Sequence, residues 1–337
     1  MPPRALILGC AGTALDADER AFFEEARPWG LILFKRNVAD HAQLRRLTSE
    51  FREITGRDDA PILIDQEGGR VQRLGPPLWP NYPAAATFAR INDPEARREA
   101  IRLGARLMAH DLAAVGITVD CLPVLDVPVA GADAVIGDRA YGFDPEIVAT
   151  AGRAVAEGLI AGGVLPVIKH IPGHGRATAD SHLALPHVGA THAELAGHDF
   201  APFRMMTDMP LAMTAHVVFT AIDAHHPATL SRRVFREIIR GEIDYDGLVM
   251  SDDLSMKALS GPFAERTRRA YAAGCDVVLH CNGDRDEMRA VLSAARPLAG
   301  RAKRRAEAAL GRIRHAPEPF DPVDGRARFT ALLAGTA

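Results

Sequence analysis

Eight short runs of aliphatic and β-branched residues, spread along 337 residues, constrain this chain more than any other feature. They are ALILG (5–9), GLILF (30–34), PILID (61–65), ITVDCLPVLDV (117–127), LPVIKH (165–170), LAMTAH (211–216), GLVMSDD (247–253) and DVVLHCN (276–282). Most are continuously apolar rather than alternating, the pattern of parallel strands covered on both faces. Amphipathic stretches lie between them. In REAIRLGARLMAHDLAAVG, residues Ile101, Ala105, Met108, Leu112 and Val115 recur at steps of three and four, and Gly116 is placed to end the helix. Glycine or Asp-Gly precedes later strands in the same way, at AGGV (161–164), YDGL (245–248) and AAGCD (272–276). Strand and helix in alternation predict an α/β fold, a single-domain (β/α)8 TIM-type barrel over 1–315 with a C-terminal tail over 316–337. A doubly wound open sheet is the alternative.

Hydrophobic residues make up 47% of the chain and charged residues 25%, enough apolar material for a full core. The formal net charge of -3 advertises neither a nucleic-acid nor an anionic-membrane surface. The one basic run, RAKRRAEAALGRIR (301–314), reads as the solvated face of a last helix, and the Pro-rich HAPEPFDPVDG after it as a segment wrapping the surface. Cys10, Cys121, Cys275 and Cys281 lie in apolar segments without CxxC spacing, as buried reduced thiols do. The apolar run at the N-terminus is too short for a signal-peptide core, and no stretch approaches a membrane span. These features fit a cytoplasmic protein, and a monomer is expected.

In a barrel, chemistry gathers where strands end. Here six consecutive runs end in charged residues or histidine: Asp65 with EGGR following, Asp126, Lys169–His170, His216, Asp252–Asp253 and His280. Individual residues have ordinary explanations. Asp65 can cap a turn, Arg70 and Arg73 can be solvated, Arg139 follows the turn signal Gly137–Asp138, and His216 can be a satisfied core histidine. Of Asp252 and Asp253, neighbours on a strand face opposite ways. One points into the mouth, while Ser251 or Asp253 can cap a following helix.

KHIPGHGRATADSH (169–182) is the densest segment. Asp180 and His182 are two apart, close enough for a carboxylate to orient an imidazole that then acts as acid and as base. A metal site is the competing reading, with His170, His174, His182 and Asp252 as ligands. Pro172 and Gly173 break the helical turn that an H-x3-H pair would need, so no metal or other cofactor is expected. The glycines and proline read as a hinge, and His174 is assigned a loop-ordering hydrogen bond.

Taken together, KHIPGHGRATADSH, DQEGGRVQR, PVLDV, IGDRAYG, TAHVVF and GLVMSDDLSM, in that family's order, resemble glycoside hydrolase family 3. The resemblance is to its single-domain bacterial β-N-acetylglucosaminidases of cell-wall recycling. One departure is Ile171, where many members carry an aromatic residue. The resemblance implies a barrel and a retaining two-step hydrolysis without metal. It implies Asp252 as nucleophile, His182 as acid/base with Asp180 as its partner, and Asp65, Arg73, Arg139, Lys169 and His170 as binders of N-acetylglucosamine (GlcNAc). The implied substrate is GlcNAc-1,6-anhydro-MurNAc, with or without peptide. Two carboxylates usually share this work. An imidazole in place of the second does not repel an anion, which leaves phosphate as well as water able to resolve the intermediate. A non-catalytic saccharide sensor is a further alternative, against which the intact Asp252, His182 and Asp180 argue.

Overall fold

In the computed structural model, which describes residues 2–335, the apolar runs become the staves of one closed parallel barrel. The strands are β1 (Arg4–Leu8), β2 (Pro28–Leu33), β3 (Ile62–Ile64), β4 (Val119–Asp120), β5 (Leu165–Ile171), β6 (Leu211–Thr214), β7 (Leu248–Asp253) and β8 (Val277–His280). Each pairs with its successor, and β8 returns to β1 through Leu6↔Val278, Ile7↔Leu279 and Leu8↔His280. That closure rules out the open sheet. Nearly every strand residue is buried, because the barrel interior takes one face and the surrounding helices the other.

Local signals start the helices. Asp40 accepts from the Gln43 N–H at 2.8 Å and begins helix His41–Thr55. Asp93–Pro94 and Asp144–Pro145 repeat one device, an aspartate cap followed by proline at the first helical position. Each such cap stabilises by about 1 kcal/mol. Helix Pro94–Ala113 ends three residues before Gly116, which takes a left-handed φ of 79°.

Two expectations need correction, and the C-terminal tail carries a helix besides. The long run 117–127 is a strand only at Val119–Asp120. Pro123 has no N–H to give a ladder, and the Leu122–Pro123 bond is cis. The carbonyls of Leu122 and Pro123 still accept from Val167 and Lys169 at 3.0 and 3.1 Å, so the segment follows β5 as irregular extended chain. The basic run is not only a solvated face. In helix Gly300–Gly311, Arg305 bonds Asp276 at 3.0 Å and also pairs with Asp246, fastening the helix to the turns that lead into β7 and β8. The Pro-rich tail gives way to a helix, Pro322–Ala334, capped by Asp321. Its Phe329 packs on the Gly104 face of helix Pro94–Ala113, and its Arg326 pairs with Asp111 at 2.5 Å.

Helix Pro94–Ala113 also meets helix Pro145–Ala161 very closely. A Cβ on Gly158 would lie 2.3 Å from the Arg102 carbonyl oxygen and 2.9 Å from the Ala105 Cβ. Gly158→Ala should therefore destabilise the fold by about 2 kcal/mol through overpacking. The check is urea unfolding, and an unchanged midpoint would mean that these helices separate freely.

Candidate active site

The ends of β3, β5 and β7, with the loops that follow, enclose a cavity of about 270 Å³. Asp65, Arg73, Arg139, Lys169, His170, Asp180, His182 and Asp252 all line it, so the structure brings these eight residues together, while the strand-end residues Asp126, His216 and His280 are not in its lining.

Lys169 sits at the centre, 2% exposed. Its ammonium lies 2.9 Å from Asp65 Oδ1 and 2.7 Å from Glu67 Oε1. Arg73 bonds the other Asp65 oxygen at 3.0 Å, and Arg139 grips Glu67 with two bonds of 2.8 and 2.9 Å. Burial works to raise both carboxyls, but Lys169, with Arg73 at Asp65 and Arg139 at Glu67, outweighs it and holds them below their ordinary values. Burial pulls the Lys169 ammonium down, and the two carboxylates more than restore it. Asp65 is thus an ion-pair partner rather than a turn cap. Arg70 stands at the rim, bonded to Asp138 at 3.0 Å.

A second cluster forms around Asp126, which is fully buried. Its Oδ2 is 2.6 Å from His170 Nδ1, and its Oδ1 accepts from the His174 backbone N–H at 2.6 Å. Burial would raise this carboxyl, but His170 holds it at about 2. Burial and the neighbouring His170 push the His174 imidazole down to about 4.

Asp252 reaches the cavity from the end of β7. Burial would raise its pKa, but His216 and then His170 hold it below the ordinary range, so the group is an anion in an otherwise enclosed place. His216 is satisfied by Thr229 Oγ1 at 2.6 Å and the Asp253 carbonyl at 3.0 Å. Neither Ser251 nor Asp253 caps a helix. Ser251 Oγ accepts from the Leu279 N–H at 2.9 Å, and Asp253 ties the turn at Ser255 and the Cys281 N–H. The next helix begins only at Phe263.

At the mouth, His182 Nδ1 is 2.8 Å from Asp180 Oδ1, with 65% of the His182 side chain exposed. With Nδ1–H donated to the carboxylate, Nε2 is the nitrogen free to exchange protons with a ligand. The loop's glycines are not simply a hinge. A Cβ on Gly175 would lie 2.1 Å from the Val127 carbonyl oxygen, so glycine there permits a close backbone approach.

Sequence reasoning passed over Glu67 and gave Asp126 no role. Glu67 lies inside DQEGGR, but nothing local shows that two cations converge on it. No three His, Cys, Asp or Glu side chains among the described residues are grouped as metal ligands. The His170 and His174 ring centres are 5.7 Å apart, and His170 Nδ1 is committed to Asp126.

Comparison with known proteins bears on the family and the fold. Residues 8–315 match the family described as glycosyl hydrolase family 3 N terminal domain. A beta-hexosaminidase of Alkalilimnicola ehrlichii is 41% identical over 283 residues, 82% of this chain and 80% of that one. A beta-hexosaminidase of Pseudomonas aeruginosa is 40% identical over 297 residues, 87% of each. The crystal structure of NagZ from Neisseria gonorrhoeae in complex with N-trifluoroacetyl-D-glucosamine aligns over 100% of this chain and 99% of that one, with a TM-score of 0.84 at 32% identity.

The buried His174 has a consequence for stability. An unfolded chain takes up a proton there near pH 6.5, whereas the folded chain does so only near pH 4. This contribution is intact above pH 6.5 and falls as the pH drops through that window, by about 3 kcal/mol at most. His174→Gln should flatten the slope of unfolding free energy against pH between 6.5 and 4. An unaltered slope in denaturant titrations would show that His174 is not held neutral.

Proposed function

The chain belongs to glycosyl hydrolase family 3, and from that premise we propose that it is a retaining exo-β-N-acetylglucosaminidase working through a covalent glycosyl-enzyme. The observation that carries this reading is the pairing of an enclosed anion, Asp252, with an exposed imidazole oriented by a carboxylate, His182–Asp180, in one cavity. The family's beta-hexosaminidases and the GlcNAc analogue bound to the Neisseria gonorrhoeae protein support the sugar.

In the first step an Asp252 oxygen attacks the anomeric carbon. The glycosidic C–O bond breaks, and His182 gives its Nε2 proton to the departing oxygen. In the second step His182 takes a proton from water, the water oxygen attacks the same carbon, and the Asp252–carbon bond breaks. Two inversions retain configuration. Asp180 stabilises the imidazolium and fixes its tautomer. The ionised Asp65, the cations Arg73, Arg139 and Lys169, and His170 supply acceptors and donors for the sugar's hydroxyls and acetamido group. Because their partners already fix them, little order is lost on binding.

The substrate proposed is GlcNAc-1,6-anhydro-MurNAc, with or without peptide, met in the cytoplasm during cell-wall recycling. A cavity of about 270 Å³ floored by the barrel suits a terminal sugar rather than the middle of a chain. No helix among the described residues is long and apolar enough to cross a membrane.

Asp252→Ala should lower turnover of an aryl β-N-acetylglucosaminide by at least about a thousandfold, the scale set by losing nucleophilic catalysis. Mass spectrometry of the protein trapped with a 5-fluoro-GlcNAc donor should find the sugar on Asp252. Near-normal turnover, or label on another residue, removes the assignment. Full activity is expected in excess EDTA; loss on chelation that zinc restores would favour a metal-dependent hydrolase instead.

A further inference from the structure

We propose that His174 and Ser181 form a latch that positions the Asp180–His182 pair over the cavity and ties it, through Asp126, to the sugar-facing His170. The proposal rests on the acid/base reading of His182 and adds two positioning residues to it.

The contacts run without a gap. One Asp126 oxygen bonds His170 Nδ1 at 2.6 Å, and the other accepts from the His174 backbone N–H at 2.6 Å. The His174 ring is turned the other way, with Nε2 3.1 Å from Ser181 Oγ. That is the ring's one hydrogen bond, since Nδ1 has no partner. Ser181 is 3% exposed, yet the side chains on either side of it are 30% exposed at Asp180 and 65% at His182. A buried serine between two exposed residues is an anchor. Its carbonyl also accepts from the Ala258 N–H at 3.2 Å, so the segment is held at two points.

The bonds between Asp180 and His182 cannot do this work. They join residues two apart, both accepted by the Asp180 carboxylate, from the His182 ring and from its backbone N–H. They orient the imidazole within its own loop and leave the loop free to shift as a unit relative to Asp252. The Ser181–His174 bond refers the loop to the barrel. Through Asp126 the same frame sets His170, so the acid/base and the sugar-binding group share one origin. An error of about 1 Å in such a placement costs about a hundredfold in rate.

A latch and a merely structural role make different predictions. Departure of an alkoxide needs the proton from His182, whereas departure of 2,4-dinitrophenolate does not. Ser181→Ala and His174→Phe should lower kcat/KM on an alkyl β-N-acetylglucosaminide by about tenfold to a hundredfold, and on the dinitrophenyl glycoside by less than about threefold. His174→Gln, whose amide can still meet the Ser181 hydroxyl, should recover most of the alkyl activity. The ratio of the two rates is independent of how much protein is folded. Equal losses on both substrates, or none on either, overturn the latch. His182→Ala is the reference: if that variant shows no leaving-group dependence, the acid/base reading itself fails. If it does and Ser181→Ala does not, only the latch falls.

Discussion

Taking an ammonium out of water costs several kcal/mol unless charges of opposite sign receive it. Lys169 is almost wholly enclosed and is received by two carboxylates, Asp65 and Glu67, each of which is bonded to its own arginine. Each carboxylate is shared by Lys169 and an arginine, so removing any member of this five-residue set costs another member one of its partners. The arrangement draws β3 and β5 together with the loops carrying Glu67, Arg73 and Arg139, so it fixes the mouth of the barrel as well as the surface proposed to bind the sugar. Asp120 lies beneath it, and burial pushes that carboxyl well above its usual range. Its neutral form is thereby favoured, and the network is not loaded with a third anion.

This set explains what the sequence could and could not reveal. Strand ends are visible because apolar runs stop abruptly, and Asp65, Lys169 and Asp252 each stand at such a stop. The barrel was legible for the same reason: continuous apolar runs, glycine before strands and Asp-Pro before helices are all local signals. Glu67 was not legible, because its meaning is a meeting with Lys169 and Arg139 at separations of 102 and 72 residues, counted from residue numbers. Asp126 was visible as a polar stop, but its role depends on two residues in another loop. The corrected elements follow the same rule. Pro123 shows why the fourth strand is short, yet the Val167 and Lys169 N–H groups that keep it beside β5 come from the register. Arg305 looks solvated on a helical wheel and is instead clasped by Asp276 and Asp246 from loops that precede strands.

The cavity therefore has two mechanical parts. Lys169, Arg139, Asp65 and Glu67 are bonded to one another across the barrel and are enclosed, so they hold one geometry. Asp180 and His182 lie on an exposed segment that touches the barrel through few contacts, of which the buried Ser181 supplies two. Groups that bind a ground-state sugar gain from being fixed in advance. A group that must serve first as acid toward a leaving oxygen and then as base toward water needs access for each in turn.

The imidazole that the proposed mechanism uses in place of a second carboxylate fits the same electrostatics. Asp252, half-buried at the end of β7, is held ionised by His216 and His170 although desolvation opposes its charge. A second carboxylate on the opposite side of one small cavity would, once it had given up its proton, face that anion, and its repulsion would act on any anionic acceptor as well. Histidine never becomes negative, so it exchanges a proton without opposing the charge on Asp252. The cost is geometric, because an imidazole has two nitrogens and only one can face the substrate. Asp180 settles which one by claiming Nδ1 at 2.8 Å. Orientation within the loop and position relative to the barrel are then separate problems, solved by separate bonds. On the proposed mechanism, that accounts for a serine with no chemistry of its own being buried between the two residues assigned to the proton transfer.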